Sequence, residues 1–222
     1  MKGMYLDPKF IRERISPNWD TYLWFMDGYQ EFLRCNSKPV LEACKYKSTT
    51  SISLASIVNG KVIFEGIDTD TWKKEKLPIK YDVSFVGSLD KKRHEYFDNS
   101  KVTVFESSMY AYSYVDCNKI YNQSKMVVNL VRDPFIVSNR VLCTLATNAI
   151  MISEESYAFK YIDSKFNWKP FIFKTKDEMD GVIDNILSNY EYYKKLQQEA
   201  KLDNGYSWED QLTKVLNYVV EY

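Results

Sequence analysis

The chain has 222 residues, with Lys+Arg and Asp+Glu both at 30 and a formal net charge of +0. That length allows one large domain or two small ones with a sizeable core. The charge balance gives no support to a dedicated nucleic-acid binder, which is usually basic. With 7 Gly, the single histidine His94 and 4 Cys in no CxxC pair, the sequence carries no P-loop, no GxGxxG and no zinc motif.

The scattered thiols Cys35, Cys44, Cys117 and Cys143 fit a reducing compartment. The opening MKGMYLDPKFIRER is charged and has no apolar stretch of the signal-peptide kind. No run approaches the ~20 apolar residues needed to span a bilayer. The expectation is a soluble, cytoplasmic protein with no membrane span.

In chain order, residues 19–35 place Tyr22, Phe25, Met26, Tyr29, Phe32 and Leu33 at helical spacing, with Asp20 as a cap. Segments 51–58 (SISLASIV) and 61–64 (KVIF) read as strands parted by the turn signal Asn59-Gly60. Either they form a hairpin, or only the second is a strand. The loop EGIDTDTW follows, with Asp68 and Asp70, and then the charged, linker-like WKKEKLPIKY. This sets a reduced N-terminal region at 1–78 and a larger domain at 79–222, whose C-terminal helix is a candidate to pack back on the N-terminal region.

From Tyr81 the pattern becomes regular. Strands are expected at 82–88, 102–105, 125–131, 149–153 and 171–174. Helices are expected at 90–97, 116–123 (capped by Asp116), 138–148, 176–188 (capped by Thr175), 190–202 and 207–222. Short apolar strands alternating with helices define an α/β fold, a Rossmann-like parallel sheet covered on both faces.

Several residues could carry chemistry. Strand 82–88 ends in Gly87-Ser88, which is either a plain turn or a close backbone approach to a ligand. Arg93 lies one turn into the next helix, either solvated or reaching the same place. At Ser138, Asn139 and Arg140 a helix begins after a strand end. Such a place offers free N–H groups and a guanidinium fork to an anion, or is an ordinary cap beside an exposed arginine. Arg132 and Lys125 flank the neighbouring strand and would add positive charge. Glu154 and Glu155 end the next strand; a carboxylate there either accepts from a sugar hydroxyl or favours the following helix start. His94, within KKRHEYF, reads as a surface residue. Asp68 and Asp70 are either turn residues or acids in a cleft.

The segments YDVSFVGS, KKR, KIYNQSKMVVNLV, VSNRVLCTLATNAIMISE and GYSWEDQLTKVLNYV, in that order, resemble the C-terminal domain of GT-B glycosyltransferases. The spore-maturation-type glycosyltransferase-like group has the most similar pattern, and the resemblance covers roughly 61–222. It implies a GT-B-like C-terminal donor domain beside a reduced N-terminal domain. It also implies transfer of a sugar from a nucleotide diphosphate sugar held in a cleft between two Rossmann-like domains, with no bound metal and no further cofactor. Carried over, Gly87 and Ser88 match the glycine loop after the first strand, and Ser138, Asn139 and Arg140 match the helix start near the diphosphate. Arg93 and Glu154 join them as donor-binding candidates. Asp68 and Asp70 are the candidates for an acceptor-side acid. The acceptor is a glycan, a protein, a small molecule or a modified nucleic-acid base. Cys143 and Asn148 stand where that group has an acid and a glycine. This supports the alternative of a catalytically inactive nucleotide-sugar-binding or protein-interaction module.

Overall fold

In the computed structural model, which describes residues 7–18, 20–27, 29–107, 112–200 and 205–220, the chain divides into two units. The first comprises Met1–Gly66, Asp133–Val137 and Trp208–Tyr222; the second comprises Ile67–Arg132 and Ser138–Ser207.

The first unit opens with α1 (Pro8–Phe10), capped by Asp7 and continued as a π-helical turn over Ile11–Ile15. Then come β1 (Tyr22–Phe25), α2 (Tyr29–Arg34), α3 (Lys38–Ala43), β2 (Tyr46–Thr49), α4 (Ile52–Val58) and β3 (Lys61–Val62). The three strands form a parallel sheet in the order β1-β2-β3.

Two expectations are corrected here. The stretch expected as one helix over 19–35 is a strand followed by a short helix; Trp19 and Gly28 lie outside the described residues. Pairing decides it, because Tyr22 to Phe25 align with Tyr46 to Thr49. The Tyr22 hydroxyl also meets the Ser48 hydroxyl, and Trp24 Nε1 donates to the Ile63 carbonyl at 3.0 Å. Asp20 pairs with Lys45 at 2.8 Å instead of capping a helix. The second correction concerns 51–58, which is the helix α4 and not a strand. Parallel neighbours need a crossover, which a two-residue turn cannot supply. α4 makes that crossover and buries Leu54, Ala55 and Val58. Asn59 ends it in the left-handed region at φ 50°, and Gly60 passes so close to β2 that a Cβ there would lie 2.9 Å from the Lys47 carbonyl oxygen. Phe25, Phe32, Leu41, Leu54 and Val58 form this unit's core.

The second unit runs β4 (Tyr81–Gly87), α5 (Lys91–Phe97), β5 (Thr103–Glu106), α6 (Tyr114–Asn122), β6 (Ser124–Asn129), α7 (Asn139–Leu145), β7 (Ile150–Glu154), α8 (Phe159–Ile162), β8 (Ile172–Phe173), α9 (Lys176–Ser188) and α10 (Tyr190–Gln197). Its five strands are all parallel, in the order β5-β4-β6-β7-β8. The expected α/β class with a Rossmann-like parallel sheet is what the chain adopts. Val83, Phe85, Met126, Val128, Ile150 and Ile152 fill the sheet's core with Met179, Ile183 and Ile186 of α9. Thr175 caps α9, as its position suggests, by accepting from the Glu178 N–H. α6 is capped by Ser113; Asp116, the third residue of the helix, is its partner in a capping box and not the cap itself. α7 is shorter than expected, seven residues instead of eleven.

Asn148, which replaces the glycine of the resembling group, has a structural task. Its Nδ2 donates to the Glu75 carbonyl at 2.7 Å, beside Asn118 and Asn122, which bond the backbone of 73–75. The last helix, α11 (Trp208–Val220), belongs to the first unit. There Trp208 and Tyr218 pack edge-on against Trp24 and Tyr46, with centroids 5.9 and 5.8 Å apart. Among the described residues no helix is long and apolar enough to cross a membrane.

Candidate functional site

In the second unit, β4 is flanked by β5 on one side and β6 on the other, so the chain reverses its winding direction there. Open α/β sheets bind ligands outside the carboxyl ends of the strands at such a switch point. Four chain segments bring polar or charged groups to this place: the end of β4, the start of α5, the end of β6 and the start of α7.

Arg140 spans the switch point. Its Nη2 donates to the Val86 carbonyl of β4 at 3.0 Å, and its Nη1 donates to Asn129 Oδ1 at the end of β6 at 3.2 Å. The guanidinium lies over the Phe85 ring, 4.5 Å from its centroid. Tyr121 of α6 stands beside it; burial pushes that phenol's pKa up, and Arg140 opposes the rise. The buried Nε–H of Arg140 has no hydrogen-bond partner. An unpaired buried donor costs about 1–3 kcal/mol, so stability alone does not account for this arginine.

Gly87 makes room for Arg140. Its φ is +156°, and a Cβ there would lie 2.8 Å from Arg140 Nη2. Ser88 follows, with its carbonyl bonded by Arg93 Nη1 at 2.7 Å and its hydroxyl by Arg132 Nη2 at 3.1 Å. Arg93 is only 5% exposed and lies 5.2 Å from the Phe85 centroid. Burial, then the charges of Arg140 and Arg132, lower its pKa to about 10 against the opposing pull of Asp90. Asp90 caps α5 and approaches Arg93 and Arg132 at 3.8 and 3.6 Å. Its own burial would raise its pKa, but the Arg93 N–H and the charges of Arg93, Arg132 and Lys92 hold it below the ordinary value. Two of the three guanidinium groups thus share one carboxylate and the third, Arg140, has none, leaving an excess of positive charge and of N–H donors.

The structure brings together Gly87, Ser88, Arg93 and Arg140 from the sequence reading. The Ser138 hydroxyl accepts from the Arg140 N–H at 3.3 Å, and Asn139 is exposed at the first position of α7. Glu154 stands at the carboxyl end of β7, where it accepts from Lys92 Nζ at 2.7 Å and from the Val131 N–H at 2.9 Å. Glu155 pairs with Lys174 at 3.4 Å, and Lys125 with Asp82 at 2.7 Å. His94 is exposed.

Asp68 and Asp70 lie apart from this group in their bonding. The Asp68 carboxylate accepts from the Asp70 N–H at 3.0 Å and from the Thr71 hydroxyl at 2.6 Å. The Thr71 bond, followed by the Asp70 N–H, lowers its pKa. Cys143 is buried within α7. The sequence reading passed over Phe85, Asn129, Tyr121 and Lys92. Asn129, a polar residue closing an apolar strand, was the one signal available. Among the described residues no group of three or more His, Cys, Asp or Glu could hold a metal ion.

The fold, a parallel Rossmann-like α/β arrangement, is that of GT-B glycosyltransferases. No family model and no curated protein matches the chain. Among solved structures, Anabaena Alr3699/HepE in complex with UDP-glucose is similar with a TM-score of 0.67 and 10% identity, over 90% of this chain and 72% of that one. Sucrose-phosphate synthase from Thermosynechococcus elongatus gives 0.58 and 12%, over 100% and 66%. T4 phage BGT in complex with UDP and Mn2+ gives 0.50 and 11%, over 91% and 72%. At such identities the likeness establishes the fold.

Proposed function

We propose that this chain is a nucleotide-sugar-dependent glycosyltransferase of the spore-maturation-type group, acting in the cytoplasm on a glycan, protein, small-molecule or modified-base acceptor. The observation that carries the reading is the arginine cluster at the switch point. Arg140, Arg93 and Arg132 surround the Gly87-Ser88 turn with more donors than the protein itself satisfies. A diphosphate suits that excess, because planar guanidinium forks match phosphate oxygens.

In the transfer, the bond between the sugar's anomeric carbon and the diphosphate oxygen breaks as an acceptor hydroxyl or amine attacks. The leaving diphosphate gains negative charge, and the arginines meet it in fixed positions. Groups oriented in advance toward developing charge stabilise a transition state most effectively. The same charges would let the reaction run without a metal or other cofactor. Ser138 fixes the start of α7 behind Arg140, and Asn139 lies at its exposed edge toward the donor. Glu154 reaches the donor's hydroxyls once Lys92 shifts. Asp68 or Asp70 serves the acceptor side.

The second reading is a nucleotide-sugar-binding or protein-interaction module without turnover. It draws on the buried thiol of Cys143 and on the lowered pKa of Asp68, which makes that carboxylate a weak base. The test is incubation with UDP-, GDP- and dTDP-sugars, with and without Mn2+ and with EDTA. Release of free sugar and nucleoside diphosphate from one donor, undiminished by EDTA, is the expected result. Binding of a donor that is never consumed favours the module. A thermal-shift screen in which no nucleotide raises the melting temperature overturns both readings.

A further inference from the structure

Arg140 can serve a ligand only if its guanidinium keeps one orientation, and a buried relay behind it sets that orientation. Asn129 is 1% exposed and ends β6, whose preceding residues Met126, Val127 and Val128 are apolar and fully buried. An aliphatic residue would fill the same volume, so packing does not call for an amide there. The Asn129 side chain makes two bonds: Nδ2 donates to Ser153 Oγ at 2.9 Å, and Oδ1 accepts from Arg140 Nη1 at 3.2 Å. Ser153 is directly opposite on β7 and is also buried.

The direction of the relay follows from counting protons. A serine hydroxyl has one hydrogen to donate. Ser153 Oγ donates it to the Glu154 carbonyl at 2.8 Å. Toward Asn129 the hydroxyl can therefore only accept, so Asn129 must present its NH2 to Ser153. Its carbonyl oxygen is then turned to Arg140. The flipped amide would set two donors against each other at Arg140, and at Ser153 it would have to draw the hydroxyl hydrogen away from the Glu154 carbonyl. The relay thus allows one amide orientation, and that orientation fixes one end of the guanidinium while the Val86 carbonyl fixes the other.

We propose that Asn129 is a positioning residue for the anion site, with Ser153 setting its amide, and that the pair holds Arg140 across the switch point for a diphosphate. This rests on the donor-site reading given under Proposed function. Neither residue touches the ligand; both act through Arg140.

The test is a double-mutant cycle read by calorimetric titration with inorganic pyrophosphate, which does not depend on the base or the sugar, and then with UDP. Asn129→Leu should weaken pyrophosphate binding by about tenfold or more, and Ser153→Ala by a smaller factor. In an Arg140→Ala background, Asn129→Leu should cause no further loss, because residues in one network couple and are not additive. A purely structural role for Asn129 would lower the melting temperature and multiply the losses in the double variant. That outcome overturns the proposal, as does wild-type affinity in Asn129→Leu. If Asn129→Leu does not fold, Asn129→Ala takes its place in the same cycle, since it too removes the acceptor facing Arg140. If the wild-type chain binds neither pyrophosphate nor UDP, the donor-site reading itself fails and takes this proposal with it.

Discussion

At the carboxyl end of β4 three guanidinium groups gather around a two-residue turn, whereas at the carboxyl end of β2 the chain runs into hydroxyls. There Thr49 Oγ1 accepts from the Ser51 N–H at 3.1 Å, and the Ser51 and Ser53 hydroxyls lie 3.0 Å apart. The two regions share a geometry, because each ends a central strand of a parallel sheet and leads toward a helix. They differ in what they leave over. The end of β2 leaves over a neutral group, since Ser51 and Ser53 pair while the buried Thr50 hydroxyl has no partner; the end of β4 leaves over guanidinium charge. Fold alone therefore does not select the anion site; the side chains placed on it do.

The strongest way to break this comparison is Phe85→Ala. Phe85 is fully buried and underlies both Arg140 and Arg93. Its loss should cost about 3–5 kcal/mol of stability and also release both guanidinium groups. Chemical denaturation and pyrophosphate titration should register the two effects together; unchanged affinity in the folded variant would show that the ring does not support the site. The counterpart in the first unit is Leu41→Ala. Leu41 is 1% exposed within that unit's core, and the cost should be about 2–5 kcal/mol. Below the melting temperature its pyrophosphate affinity should stay within about twofold of wild type, because Leu41 packs in the first unit's core and shares no partner with the arginine cluster. A large loss of affinity would mean that the anion site is not confined to the second unit.

Gly87→Ala comes next. The new Cβ would meet Arg140 Nη2 at 2.8 Å in a backbone conformation that disfavours side chains. About 1 kcal/mol or more of destabilisation is expected, with pyrophosphate affinity falling by about tenfold as the guanidinium is pushed away. Retained affinity would show that Arg140 tolerates displacement.

The smallest effect is expected at Asp90. Its folded-state pKa lies below the ordinary aspartate value, so the unfolded chain binds the proton more readily. The carboxylate's contribution is present above about pH 4 and is lost as pH falls through the folded-state value. Asp90→Asn keeps a capping side chain and should flatten that acid-side slope, at a cost under about 1 kcal/mol at pH 7, as for other exposed pairs. An unchanged acid-unfolding profile would remove Asp90 as a charge partner of the cluster.

Much of the second unit was legible because its strands are continuous apolar runs and its helices carry caps such as Asp90 and Thr175. The Gly87-Ser88 turn and Arg140 were legible for the same reason, since each follows a strand end that periodicity locates. Arg93 was open to two readings, and only burial against Phe85 shows which holds. Arg132 was visible as a charge, but its bond to Ser88 joins residues 44 positions apart in sequence. The first unit was harder to read. SISLASIV is rich in β-branched and apolar residues, and no local property distinguishes a buried crossover helix from a strand at that length. YLWF sits at helical spacing with its neighbours, yet β2 claims it as a strand.

The sequence by itself determined the alternation of strands and helices, the places where strands end, and the presence of an arginine just after one of them. These are local properties, set by periodicity, capping and turn residues over a few positions. Tertiary structure decided which strands lie side by side, and therefore that Val86, Asn129 and Arg140 meet at one switch point. It also decided the direction of the Asn129 amide, because that depends on the single proton of Ser153, a residue 24 positions away. Hydrogen-bond partners so far apart in the chain leave no periodic trace, and only the packed sheet brings them within reach.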